Sequence, residues 1–142
     1  MKAELQAFRA LSREDRGNLA RAWAYLLLAD LGLRILPVHR VGALLRLLGG
    51  RPGRREIPPD HLAHLVGIAG RHHLHPMTCL PRSLALQALL RRYGILAELR
   101  IGVRREAGEM RAHAWIEHAG RPVGEPADIE LRFQPLRQPR SM

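Results

Sequence analysis

A single cysteine stands among the 142 residues. No intramolecular disulfide can form, so a secreted scaffold held by cystines is excluded and a reducing, cytoplasmic setting is expected. Aromatic residues are scarce, with two each of tryptophan, tyrosine and phenylalanine. With Trp23 and Trp115 in predicted core elements, too few remain to line a base-stacking surface, so nucleic acid is not an expected partner. Lysine is nearly absent. Lys2 stands alone, and the excess of 23 basic over 13 acidic residues, a net charge of +10, is carried by arginine. No run of arginine exceeds two, a scatter that suits solvated helix faces as well as a field attracting an acidic peptide. A long hydrophobic run is also missing. The most apolar stretch, residues 22–38, is broken by Asp30, Gly32 and Arg34, and a charge at the centre of a spanning helix costs about 2.5–3.5 kcal/mol. That stretch reads as a core helix, and no stable membrane insertion is expected. Met1-Lys2-Ala3-Glu4 leads into no apolar segment of a signal peptide.

What is present is a globular composition, 46% hydrophobic and 25% charged, in a chain of one domain's length. Ser12 followed by Asp15 resembles a capping box, and Leu19, Trp23, Leu26 and Leu27 recur at helical spacing. Pro37 predicts a helix end near Leu36. A second helix is expected over 38–48, stopped by Gly49-Gly50, and the breaker-rich segment 51–59 reads as a loop. Asp60 is the expected cap of a third helix carrying Leu62, Leu65, Val66 and Ile68 on one face. Thr78 can cap a fourth, running from Cys79 to Arg92 and closed by Gly94 in a left-handed conformation.

Beyond Gly94 the period changes from 3.6 to 2. Ala97, Leu99, Ile101 and Val103 alternate with Glu98, Arg100, Gly102 and Arg104, which predicts a half-buried strand. A polar turn is expected over 105–110, then a strand over 111–118, a tight turn at Ala119-Gly120 and a strand over 121–125. The tail from Pro126 reads as irregular, with Leu131 and Phe133 docking back. The expected class is therefore α+β, a helical half of residues 1–70 packed on a core of residues 71–142 in one compact unit.

Cys79 falls at the first turn of its helix, where unpaired amides and the helix dipole favour a thiolate. A lone cysteine is also a small apolar side chain fit for a core. His113 lies in a predicted strand, on the same side as Trp115 and Glu117. Thiol-mediated acyl transfer needs a thiolate, an imidazole and an acceptor for the second ring nitrogen. Glu125, at the end of the returning strand, can meet His113 across the sheet, and Asp128 is the other acceptor within reach. The histidines His61, His64, His72, His73 and His75 precede Cys79, but their spacing lacks the paired ligands of a structural zinc site. They are expected in part at the rim of a cleft, with no metal and no cofactor.

The stretch Cys79-Leu80-Pro81-Arg82-Ser83-Leu84-Ala85-Leu86, then Arg91-Arg92-Tyr93-Gly94-Ile95 and Ala97-Glu98-Leu99-Arg100-Ile101-Gly102-Val103, resembles the leader peptidases of lasso-peptide biosynthesis. Ala112-His113-Ala114-Trp115-Ile116-Glu117 and Gly120-Arg121-Pro122-Val123 continue the resemblance and are similar, more distantly, to transglutaminase-like proteins. The likeness spans residues 72–128. It implies a papain-like or transglutaminase-like core, a cysteine-bearing helix on an antiparallel sheet, with Cys79 as nucleophile, His113 as base and Glu125 where the family usually holds aspartate. The implied activity is removal of the leader from a ribosomally made precursor peptide. Residues 1–60 read as helices and not as the winged-helix module of some family members, so the resemblance is to the stand-alone form, which is expected to work with a separate leader-recognition protein. An ATP-dependent macrolactam-forming cyclase follows it in the pathway. Two other readings remain open: a transglutaminase-type acyl transferase, which passes the same thioester to an amine, and a basic nucleic-acid-binding module.

Overall fold

Ser12 begins the longest helix. Its Oγ accepts from the backbone N–H of Asp15 at 3.0 Å, filling one of the orphan donors of a helix start. The computed structural model describes residues 2–49, 56–75 and 77–136. Over these, α1 (Lys2–Ala10), α2 (Arg13–Leu33), α3 (Val38–Leu48), α4 (Pro59–Arg71) and α5 (Cys79–Arg92) precede β1 (Glu98–Glu106), β2 (Glu109–His118), β3 (Arg121–Val123), α6 (Ile129–Arg132) and β4 (Gln134–Pro135). This is the expected α+β arrangement, a helical first half and an antiparallel sheet of order β3-β2-β1-β4.

Helix α2 stops at Leu33, three residues before the expected end, and Pro37 serves as the N-cap of α3. Gly50 and the loop residues 51–55 lie outside the described residues. Asp60 does not cap α4. Pro58 holds the N-cap position and Pro59 opens the helix, a place where the missing N–H of proline costs nothing, so Asp60 is carried into the first turn. Thr78 is the N-cap of α5, although its side chain makes no capping bond. At the other end Gly94, with φ 74°, lets Ile95 N–H reach the carbonyl of Leu90 at 3.1 Å and Gly94 N–H that of Arg91 at 2.9 Å. This paired closure needs a left-handed residue.

One apolar cluster joins the helices to the sheet. Ala22, Leu26 and Ala29 of α2, Val41 and Leu45 of α3, and Leu62, Leu65 and Val66 of α4 surround α5, and Ile116 and Val123 close the cluster from the sheet side. Ile68, expected on the buried face of α4, is only partly buried, and Ala69 is buried instead. A polar tie crosses this core. Asn18, fully buried, donates to the hydroxyl of Tyr93, which donates in turn to Glu14 at 3.1 Å. Burial, together with the Glu14 carboxylate, pushes the Tyr93 phenol above its ordinary value.

The first hairpin is tighter than expected. Residues pair as far as Glu106 and Glu109, leaving a two-residue turn, Ala107-Gly108, with φ of 50° and 81°. Ala119-Gly120, with φ of 51° and 77°, repeats the design as expected. Both match the left-handed geometry that suits the twist of a hairpin.

The tail, expected to be irregular, forms α6 and β4 within the described residues. Phe133 docks as expected, but Leu131 is 90% exposed and Ile129, at 3%, is the residue buried in its stead. The reason lies in α6 and β4: the short helix points Ile129 inward, and Gln134–Pro135 pair with Val103 and Gly102 at the edge of the sheet. The sheet is therefore covered on both faces at its centre. Gly102, counted as a solvent-side position in the strand alternation, is buried. A Cβ there would stand 2.8 Å from Phe133 Cβ and 2.8 Å from Trp115 Cη2.

Beside it, Glu117 is 6% exposed and accepts from Trp115 Nε1 at 3.1 Å and from Arg100 Nε at 3.2 Å. Burial pushes its carboxyl up, but hydrogen bonds from Glu130 and Trp115 and the Arg100 charge outweigh this and hold it below the ordinary range. The bond to Glu117 and its charge raise Glu130 in turn.

Gly102→Ala is expected to destabilise the fold by about 1–3 kcal/mol, since Trp115 and Phe133 must both move, which a denaturant titration reads directly. For Glu117 the folded value is lowered, so its stabilisation is present above the ordinary 4.5 and is lost as pH falls through the folded value. Glu130, raised, contributes in the opposite sense: its part is present below 4.5 and lost as pH rises. Glu117→Gln should therefore melt below wild type at neutral pH. The gap should narrow as the melts are repeated at progressively acid pH below 4.5.

Candidate functional site

The open end of α5 and the free edge of β2 meet in one cavity. It encloses about 340 Å³, and its walls include Cys79, Ser83 and Leu86 of α5, Val66 of α4, His113 of β2 and Glu125 beyond β3. Cys79 is the first residue of α5 and is partly exposed. Its backbone N–H belongs to the turn whose amides have no partner within the helix.

His113 reaches the cavity because β3 is short. That strand pairs only with Ile116, Glu117 and His118, so β2 has no neighbour on that side at position 113. Both Trp115 and Ile116 line the cavity although consecutive residues face opposite sides of a strand. The cavity thus wraps round this edge. The imidazole is held from behind by Trp115, stacked at 6.1 Å between centroids, and by Phe133 at 5.1 Å. Its Nε2 lies 2.9 Å from Glu125 Oε1. With Nε2 committed to the carboxylate, Nδ1 is the ring nitrogen available for proton exchange. No hydrogen bond joins Cys79 to His113 among the described residues; the two share the cavity.

Glu125 lies two residues past the end of β3, not within it as expected. Continuing the ladder would set it opposite Ala114, but Gly124, at φ 70°, turns the chain off the sheet and brings the carboxylate to His113. Asp60 fixes that turn by accepting from Gly124 N–H at 3.1 Å. Asp128, the alternative acceptor, is paired with Arg132 Nε at 3.1 Å instead. Sequence reasoning did not foresee the part of Asp60 and Gly124; the available signal was a glycine directly before the candidate acid.

The histidines upstream of Cys79 go elsewhere. His61 bonds Asp15 at 2.9 Å and His75 bonds Asp30 at 3.0 Å, while His73 stacks on Trp23 and bonds its carbonyl at 3.1 Å. None of these lines the cavity, nor does His72, contrary to the rim position expected for His72, His73 and His75; α2 draws His73 and His75 away with the face of Trp23 and the carboxylate of Asp30. His64 and His72 are exposed. Among the described residues no group of three or more histidines, cysteines or acids is disposed to hold a metal ion. No helix among them is long and apolar enough to cross a membrane.

A family model described as the transglutaminase-like superfamily matches residues 23–138. No curated protein matches the chain, and no solved structure does.

Gly124→Ala tests how the acid is placed. The added Cβ would stand 2.7 Å from Ala63 Cβ on a backbone of positive φ, so the turn must shift. A loss of about 1–3 kcal/mol is expected. The imidazole proton resonances of His113 should move as its bond to Glu125 is broken.

Proposed function

The chain belongs to the transglutaminase-like superfamily, and from that premise we propose that it is a cysteine endopeptidase that removes the leader from a ribosomally made lasso-peptide precursor. Proteins of the superfamily are generally cysteine-protease-like enzymes, with peptidase or acyl-transfer chemistry. The observation that carries the reading is the hydrogen bond of 2.9 Å between His113 Nε2 and Glu125 Oε1 on the wall of the cavity into which Cys79 opens.

In this reading His113 takes the thiol proton of Cys79 at Nδ1, while Glu125 fixes the ring and stabilises the imidazolium. The Cys79 sulfur attacks the carbonyl carbon at the leader–core junction. The backbone N–H of Cys79 is placed to donate to the developing oxyanion, an interaction contributing on the order of 3–4 kcal/mol when well aimed. The carbon–nitrogen bond breaks as His113 returns its proton to the departing amine. Water, deprotonated by His113, then adds to the thioester, giving a free carboxylate and restoring the thiol. Recognition of the leader belongs to a separate protein, and the released core is the substrate of the ring-closing enzyme.

Cys79→Ala and His113→Ala are each expected to lower cleavage by about 10³-fold or more while leaving the melting temperature within a few degrees of wild type. Mass spectrometry of a precursor incubated with the enzyme and its recognition partner reads the result. Hydrolysis yields a leader fragment and a free core, whereas a joined product with loss of ammonia identifies transfer to an amine. Processing by either variant at the wild-type rate refutes the assignment.

A further inference from the structure

The cavity has a second chemical feature that the triad does not use. Arg82 stands three residues after Cys79 on α5, which sets it on the same helix face one turn away, and its side chain lines the cavity. It lies along α4 where that helix carries no side chains. A Cβ on Gly70 would be 3.6 Å from Arg82 Nε, and one on Gly67 would be 3.5 Å from Arg82 Nη2. The same point over Gly67 is 3.9 Å from Nη1 of Arg71, the last residue of α4. Two guanidinium groups therefore converge on one spot. Neither makes an ion pair or a side-chain hydrogen bond among the described residues, although most other arginines beside the sheet do, such as Arg100 with Glu98 and Glu117 and Arg104 with Glu106. The only carboxylate among the described lining residues is Glu125, which is committed to His113.

Like charges brought together without a counterion repel, and a fork of planar donors is the usual partner of a carboxylate. We propose that Arg82 and Arg71 form a carboxylate-binding subsite, so that this enzyme selects peptides carrying an aspartate or glutamate side chain beside the bond that Cys79 attacks. The proposal rests on the reading of Cys79 as the nucleophile of a peptidase. It adds a specificity-determining pair outside the triad, with Arg82 touching the substrate carboxylate and Arg71 completing the positive field behind it. Because the site is open to solvent, its preference weakens as salt rises.

The test uses the single thiol as reporter. Iodoacetate and iodoacetamide alkylate cysteine by the same displacement, the carbon–sulfur bond forming as iodide leaves, and differ in carrying a carboxylate or a neutral amide. For the whole protein the ratio of their rates at Cys79, normalised to the ratio for glutathione, is expected to favour iodoacetate by about tenfold at low salt. The ratio should collapse towards that of glutathione in Arg82→Gln and fall in Arg71→Gln, with folding checked by melting. A ratio that is the same in wild type and Arg82→Gln overturns the subsite. Should the thiol react with neither reagent, titration of the arginine Nε–Hε resonances with N-acetylglutamate decides. Saturable shifts at Arg82 and Arg71 that N-acetylglutamine does not produce uphold the proposal, and their absence overturns it. His113→Ala slows both reagents and removes the imidazolium's own share of the preference, so the share owed to Arg82 is read from Arg82→Gln with His113 in place. A failed cleavage assay with the ratio intact thus counts against the peptidase reading, while a lost ratio in an active peptidase counts against the subsite.

Discussion

Helix α5 has almost no solvent face. Pro81, Ser83, Leu84, Ala85, Leu86, Ala88, Leu89 and Leu90 are all buried, and each of the four leucines contributes roughly 1.5–3 kcal/mol only if something covers it. A helix that buries so many of its positions must lie inside a protein, and here α2, α3 and α4 cover it on one side while Ile116 and Val123 of the sheet cover it on the other. The rest of the architecture answers that requirement. Beyond the exposed Arg82 and Arg91, the first turn of α5 is only half-covered at Cys79 and Leu80, and that is where the thiol opens. The proposed nucleophile is thus held by a deeply buried element, which fixes its backbone while leaving its side chain open to the cavity.

The opposite wall is fixed by a different device. A sheet edge exposes backbone groups and admits few neighbours, so a short β3 leaves room at His113 that a full-length strand would fill. The chain then has to leave the ladder within one residue, and Gly124 supplies the left-handed conformation that a side chain would resist. Asp60 anchors this turn to α4, and Phe133, delivered by the tail, backs the imidazole. Segments far apart in sequence converge on one ring. Their common effect is to restrict His113 to an orientation in which one nitrogen meets Glu125 and the other is left for the cavity, the kind of preorganisation that acid–base chemistry demands.

Much of this was legible in local pattern. The change of period at Gly94, the cap at Ser12 and the turn residues at Ala119-Gly120 each act over a few positions, and they gave α2, α5 and the second hairpin nearly as found. What was not legible depended on distant contacts. Asp60 reads as a helix cap until Pro58 and Pro59 are seen to hold the helix start and Gly124 to lie beside it. Gly102 reads as a gap in the solvent face of a strand until Phe133 arrives from beyond β3 to cover it. The histidines before Cys79 read as a cleft rim because nothing in their spacing reveals that Asp15, Asp30 and Trp23 stand opposite them on α2. The approach of Glu125 to His113 is legible in their distance in sequence, though through a strand pairing that the structure replaces with a turn.

The arginines divide along the same line between local and distant information. Composition treats them as one basic excess, but the structure separates those that neutralise carboxylates on the sheet from Arg82, which lines the cavity without a counterion among the described residues. Where Arg100 meets Glu117, the charge is spent on holding the sheet's covered face together. Over the glycines of α4, the side chain of Arg82 finds a bare helix and a second guanidinium instead of an acid. A protein gains nothing in stability from such an arrangement, because like charges at that range repel and exposed arginines are readily solvated apart. In the proposed subsite a ligand's carboxylate would supply the missing negative charge, which would tie the cavity's electrostatics to what it binds and not to how it folds.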